Sequence, residues 1–141
     1  MAGVTITLNM AAVKERLQGA AQRAVADTAM AALKDCNYYC KQDQGGLINS
    51  SLIHTELASE MLPIEDKETA ALVAQSPGSD LKNGILRWKM PYARRQYYLD
   101  AARKKPNPNA RKMWAHHAAS VHGAEWLLRM QTAFTKYAKE R

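Results

Sequence analysis

"GGLINSSLIHTEL", residues 45–57, is the stretch whose reading decides the fold. Its two leading glycines permit backbone angles that other residues avoid, so they end whatever helix precedes them. Beyond them "SSLIHTEL" (50–57) reads as a strand, and "TAALVAQ" (69–75) reads as a second. "SPGSDLKNG" (76–84) is rich in turn residues and leads into "ILRWKM" (85–90), a third strand ended by Pro91. Three short strands joined by turns predict a small antiparallel meander.

Working outward, "VTITLN" alternates with period two and predicts a strand over 4–9, with Asn9 placed to cap a following helix. From Met10 to about Tyr39 the residues Leu17, Ala21, Val25, Ala29, Ala32 and Cys36 recur at spacings of three and four, the stripe of a long amphipathic helix. Because the stripe is mostly alanine, its partner must approach closely. Downstream, "YARRQYYLDAA" (92–102) predicts a short helix with Tyr92, Gln96 and Leu99 on its inner side. "KKPNPN" (104–109) cannot be helical, since each proline restricts itself and the residue before it, and reads as an exposed loop. Asn109 is positioned to cap a last helix whose apolar face holds Trp114, Ala118, Val121, Ala124, Leu127, Leu128, Met130, Phe134 and Tyr137. The expected fold class is α+β: a small antiparallel β-sheet packed against a long N-terminal helix and a long C-terminal helix, in one domain spanning 1–141.

Bulk properties agree with a folded chain. A length of 141 residues suffices for one conventional core, and 47% hydrophobic with 23% charged residues argues against disorder. No basic start followed by an apolar run opens the sequence, and no stretch approaches the roughly 20 apolar residues of a spanning helix. The expectation is a protein kept in a cytoplasm, with no membrane partner. Cys36 and Cys40, four apart on one helical face, read as reduced, packed thiols.

Candidate chemistry is sparse. His116, His117 and His122 miss the spacing of about four that a helical zinc pair wants. Ser50 and Ser51 follow glycines but lack the G-x-S-x-G elbow of a nucleophilic serine. With no carboxylate cluster either, neither an enzyme nor a cofactor is expected. The basic segment is the exception. Between residues 91 and 112, Arg94, Arg95, Arg103, Lys104, Lys105, Arg111 and Lys112 face one anion, Asp100, so this stretch carries six of the chain's seven net positive charges. Such asymmetry suits contact with an acidic protein surface or with nucleic acid. A nucleic-acid-binding module built on 91–112 is therefore the alternative reading, although no helix-turn-helix or zinc-finger pattern accompanies it.

Three stretches carry a family resemblance. "YCKQDQGGLINS", with Tyr39, Gly45, Leu47 and Ser50, resembles the Tyr-Val-Pro-x-x-Thr-Gly-x-Leu-x-x-Ser signature of the minor capsid or neck proteins of tailed bacteriophages. "ILRWKMPYARRQYY", with Trp88, Pro91, Tyr92 and Ala93, is similar to that family's strand ending in Trp, Pro-Tyr-Ala and tyrosine-rich short helix. "NPNARKMW" is similar to its Asn-Pro-x-Ala-x-x-x-Trp helix start, with Trp114 as the tryptophan. The matches come in the family's order and span residues 39–114; Lys41 stands where the signature has proline and Gln44 where it has threonine. The resemblance implies a non-enzymatic virion part, a head-tail connector or tail-completion subunit assembled in the host bacterial cytoplasm. Its implied partners are copies of itself in a ring, six favoured over twelve, the adjoining head-completion and tail proteins, and DNA passing through the channel.

Overall fold

The computed structural model describes residues 3–5, 9–42, 45–99 and 107–140, and among them the chain is helical with no strand. The helices are α1 (Met10–Tyr38), α2 (Gly46–Leu52), α3 (Lys67–Ala74), α4 (Ala93–Tyr98) and α5 (Trp114–Lys139), with 3₁₀ turns at Ala58–Glu60 and Leu81–Asn83. The two long helices run antiparallel. Arg23 meets Glu140, Asp27 meets Arg129, the Asp35 carboxylate accepts from the Trp126 indole, and Tyr39 meets His117. The short helices gather beside the C-terminal half of α1, where Leu33, Cys36 and Cys40 join Leu47, Leu52, Val73, Met90 and Trp114 in one core.

The α+β expectation is thus corrected: the described residues hold no antiparallel sheet, only an isolated bridge between Asp80 and Ile85. Residues 50–52 form the last turn of α2 instead of opening a strand. Ser50 and Ser51 tolerate that position because each hydroxyl donates to the carbonyl three residues back, Leu47 at 2.7 Å and Ile48 at 2.6 Å. The run 69–75 lies in α3 and its C-cap, started by Asp66, whose carboxylate accepts from the Thr69 backbone N–H. Its three alanines and one leucine favour helix more than Thr69 and Val73 favour strand. Residues 86–90 have no partner strand, and Arg87 N–H instead donates to the Ser79 hydroxyl at 3.0 Å. Of the strand expected at 4–9, residues 6–8 lie outside the described residues, and 4, 5 and 9 are not in a strand.

Helix faces also shift. In the first half of α1 Ala20 and Ala24 are buried in place of the expected Ala21 and Val25, one position on, and Leu17 is exposed, whereas Ala29, Ala32 and Cys36 are buried as the stripe predicted. Two alanine rows lie side by side here, and periodicity alone does not choose between them. The chosen row presents small side chains, which lets α5 come close through Ala118 and Ala133. On α5 the expected face is too broad: Val121, Ala124, Leu127 and Leu128 are exposed. Asn109 does not cap α5, which starts behind Met113 in a left-handed conformation with no side-chain cap. On α4 the buried residue is Ala93, with Tyr97 half-buried, while Tyr92 and Leu99 are exposed; residues 100–102 lie outside the described residues.

Candidate partner interface

The region that carries the chain's charge is built where three segments meet. The first is the left-handed turn at Gly45 (φ 78°), which starts α2. Behind it Gly46 lies against the Tyr92 hydroxyl so closely that a Cβ would come within 2.5 Å of it. Leu47 and Ser50 are both buried in α2, and the Ser50 carbonyl accepts from the Ser76 hydroxyl at 3.0 Å. Asn49, fully buried, spends its amide on one residue: it donates to the Leu62 carbonyl and accepts from the Leu62 N–H, each at 2.7 Å. Unpaired, that amide would be costly, so the two bonds fix the chain after α2 onto the helix.

Aromatic residues join the other two segments. The Trp114 ring is fully buried and sits edge-on to Trp88 (5.9 Å between centroids) and to Tyr97 (4.7 Å). Trp88 donates its indole N–H to Asn37 Oδ1 at 2.8 Å, and Asn37 in turn donates to the Ser51 hydroxyl, which ties the 85–90 segment to α1 and α2 together. Asn107 donates to the carbonyls of Tyr38 and Cys40, and Arg111 N–H donates to the Tyr39 carbonyl at 3.0 Å. Met113 N–H bonds the Tyr97 carbonyl, so the start of α5 is held against α4.

On this frame the cations face outward. Arg94 and Arg95 are exposed on α4, directly after Pro91 and Tyr92, and Arg111 and Lys112 are exposed just before α5. Among the described residues Arg94, Arg95 and Arg111 make no ion pair. Arg103, Lys104 and Lys105 lie outside the described residues. Exposed tyrosines accompany the charges. Tyr98 stands four residues after Arg94 on the same side of α4, and Tyr38 ends α1 one residue before the carbonyl that holds Arg111. The arrangement offers a positive, partly aromatic surface on a rigid support.

Burial, with the Asp35 carboxylate nearby, pushes the Cys36 thiol up to about 12, and burial pushes Cys40 well above its ordinary range, so both stay protonated. His116 bonds the Tyr97 hydroxyl, whose pKa burial raises; His117 packs edge-on against Tyr39, and His122 pairs with Glu125 at 3.0 Å. Among the described residues no group of three His, Cys, Asp or Glu is placed to hold a metal ion. No helix among them is long and apolar enough to cross a membrane.

Sequence reasoning missed Asn37, Asn49, Asn107, Gly46 and Tyr97. The asparagines carry no periodic signal, since a polar residue in a helix or loop reads as surface until its partner is known. Tyr97 had one available, its spacing of four from Ala93, which puts both on the inner side of α4.

No known protein family, curated protein or solved structure matches this chain.

Proposed function

We propose that this chain is a non-enzymatic structural subunit of a tailed-bacteriophage neck, a ring-forming connector between head and tail assembled in the host bacterial cytoplasm. The observation that carries the reading is the convergence of its three family-like stretches. The turn of 39–50 is far in sequence from the other two, the Trp88 to Tyr98 segment and the 107–114 helix start. They meet around Trp114, Tyr92 and the Tyr39 carbonyl. A shared motif set that forms one packed unit is what a common structural role requires. Copies of the chain, six favoured, would form the ring, and the cations Arg94, Arg95 and Arg111 would dock on an acidic surface of an adjoining ring.

A second reading is favoured by one observation: exposed Tyr38 and Tyr98 accompany those cations, the combination used to stack and track single-stranded nucleic acid. The two differ in salt response. Binding to nucleic acid through several phosphates falls steeply as salt rises, whereas docking on protein depends on a few fixed pairs. The direct test of the neck reading is deletion of the gene from a phage genome that carries it. Filled heads and separate tails in the lysate are the expected outcome; joined, infectious particles would overturn it.

A further inference from the structure

The α1–α5 pairing stops at Arg23 and Glu140, and residues 10–18 of α1 run past it with every residue exposed. Met10, Val13 and Leu17 are 63%, 45% and 44% exposed. They continue, at spacings of three and four, the buried row of Ala20, Ala24 and Thr28. A helix-packing face is therefore half used inside the chain and half uncovered.

A matching face lies elsewhere. On the outer side of α5, Val121 and Leu128 are 52% and 64% exposed, with Ala124 exposed between them. Both triplets have spacings of three and four, and each extends about 10 Å along its helix. They cannot cover each other within one chain. Trp126 and Arg129 pair with Asp35 and Asp27, which places the α5 triplet beside the far end of α1 from the tip.

We infer that a second copy of this chain lays the exposed tip of its α1, antiparallel, on the outer face of α5. In that direction Met10 meets Leu128, Val13 meets the small Ala124, and Leu17 meets Val121. Charge selects the direction. Residues flanking an antiparallel seam meet their own kind of position, which brings Lys14 opposite Glu125, whose side chain is 74% exposed and, among the described residues, bonds His122 alone. Arg16 on the other flank lays its aliphatic stem over exposed Leu127. A parallel seam would set Lys14 against Ser120 and Arg16 against Thr132, with no charge pair. Met10 seats at a groove of about 440 Å³ lined by Asp27, Glu125, Leu128 and Arg129, where a flexible side chain fills an irregular gap. The contact joins two different surfaces, so it propagates head to tail and closes as a ring or extends as a chain. This deepens the neck reading by naming the seam between copies.

The test uses the full chain with single cysteines introduced, Val13→Cys in one preparation and Ala124→Cys in another; the native Cys36 and Cys40 are buried. Mixed under mild oxidation, the two variants should form a covalent dimer that neither forms alone, and the double variant should give a ladder or a closed ring. Lys14→Glu in the first partner, or Glu125→Lys in the second, should each lower the cross-linking rate about two- to fivefold, and the two reversals together should restore it. Val13→Cys linking to itself as fast as to Ala124→Cys would show tip-on-tip pairing and overturn the seam. So would an unreactive mixture of variants with native circular dichroism. Rings in virions that resist this cross-link would overturn the seam and leave the neck reading standing. A cross-link in a protein that the deletion test shows dispensable for joining would do the reverse.

Discussion

Truncating Trp114 to alanine probes the point on which the 39–50, 88–98 and 107–114 stretches converge. The ring is 1% exposed, and a buried tryptophan hides about 150–250 Å². Losing about 150 Å² of that at 25 cal/mol per Å² forfeits about 4 kcal/mol, within the 3–5 kcal/mol typical of such truncations. The edge-on contacts with Trp88 and Tyr97 are lost with it. The Trp114 indole N–H pulls the other way, being buried without a hydrogen-bond partner among the described residues. An unsatisfied buried donor costs about 1–3 kcal/mol in the wild type, and phenylalanine removes it while keeping most of the ring. Trp114→Phe should therefore fall within about 1 kcal/mol of wild type, whereas Trp114→Ala should lose about 3–5 kcal/mol. Against a total stability of about 5–15 kcal/mol the alanine variant is close to unfolding, with a melting temperature about 6–20 °C lower. Urea titration followed by circular dichroism measures both. An alanine variant within about 1 kcal/mol of wild type would refute the placement of Trp114 at the centre of the core.

Other perturbations reach different parts of the account. Gly78 has φ 67°, and a Cβ there would fall on the Ile53 carbonyl oxygen, so Gly78→Ala should cost about 2 kcal/mol or more in the same titration. Gly19→Ala, with nothing within 4 Å, should not destabilise. Cys36, pushed up to about 12, is ionised to about one part in ten thousand at pH 8, so native protein should react with a disulfide reagent far more slowly than urea-unfolded protein. Because the folded thiols are raised above their ordinary 9.0, that contribution is present below pH 9 and is lost as the pH climbs and the unfolded chain ionises. Hydrogen bonds from the Thr69 hydroxyl, then its backbone N–H, hold Asp66 below its ordinary 3.8, so its contribution is present at neutral pH and lost as pH falls through that range. The stability gap between wild type and Asp66→Asn should narrow as the pH falls below about 4 in acid titrations.

The two long helices were legible in the sequence because many turns of repeating apolar positions average out single ambiguities. The middle of the chain was not. "SSLIHTEL" and "TAALVAQ" are too short for period two and period 3.6 to separate, and what made them helical was hydrogen bonding: Ser50 and Ser51 bonding back along α2, and Asp66 capping α3. The D-x-x-T pattern before "AALVA" was a readable cap signal. Which alanine row of α1 turned inward was set by α5, a partner about a hundred residues away, so no local pattern contained it. The basic segment was readable as charge, and its support, through the Asn107 side-chain amide and the Arg111 and Met113 backbone N–H groups, was not.

As a neck subunit, as proposed, the chain would sit at the junction of head and tail. Antibody labelling of intact particles purified from a phage carrying this gene, viewed by electron microscopy, tests it most directly. Label confined to the neck, between head and tail, is the predicted result. Particles that join head to tail without any label there, with the protein recovered only in the particle-free lysate, would contradict it.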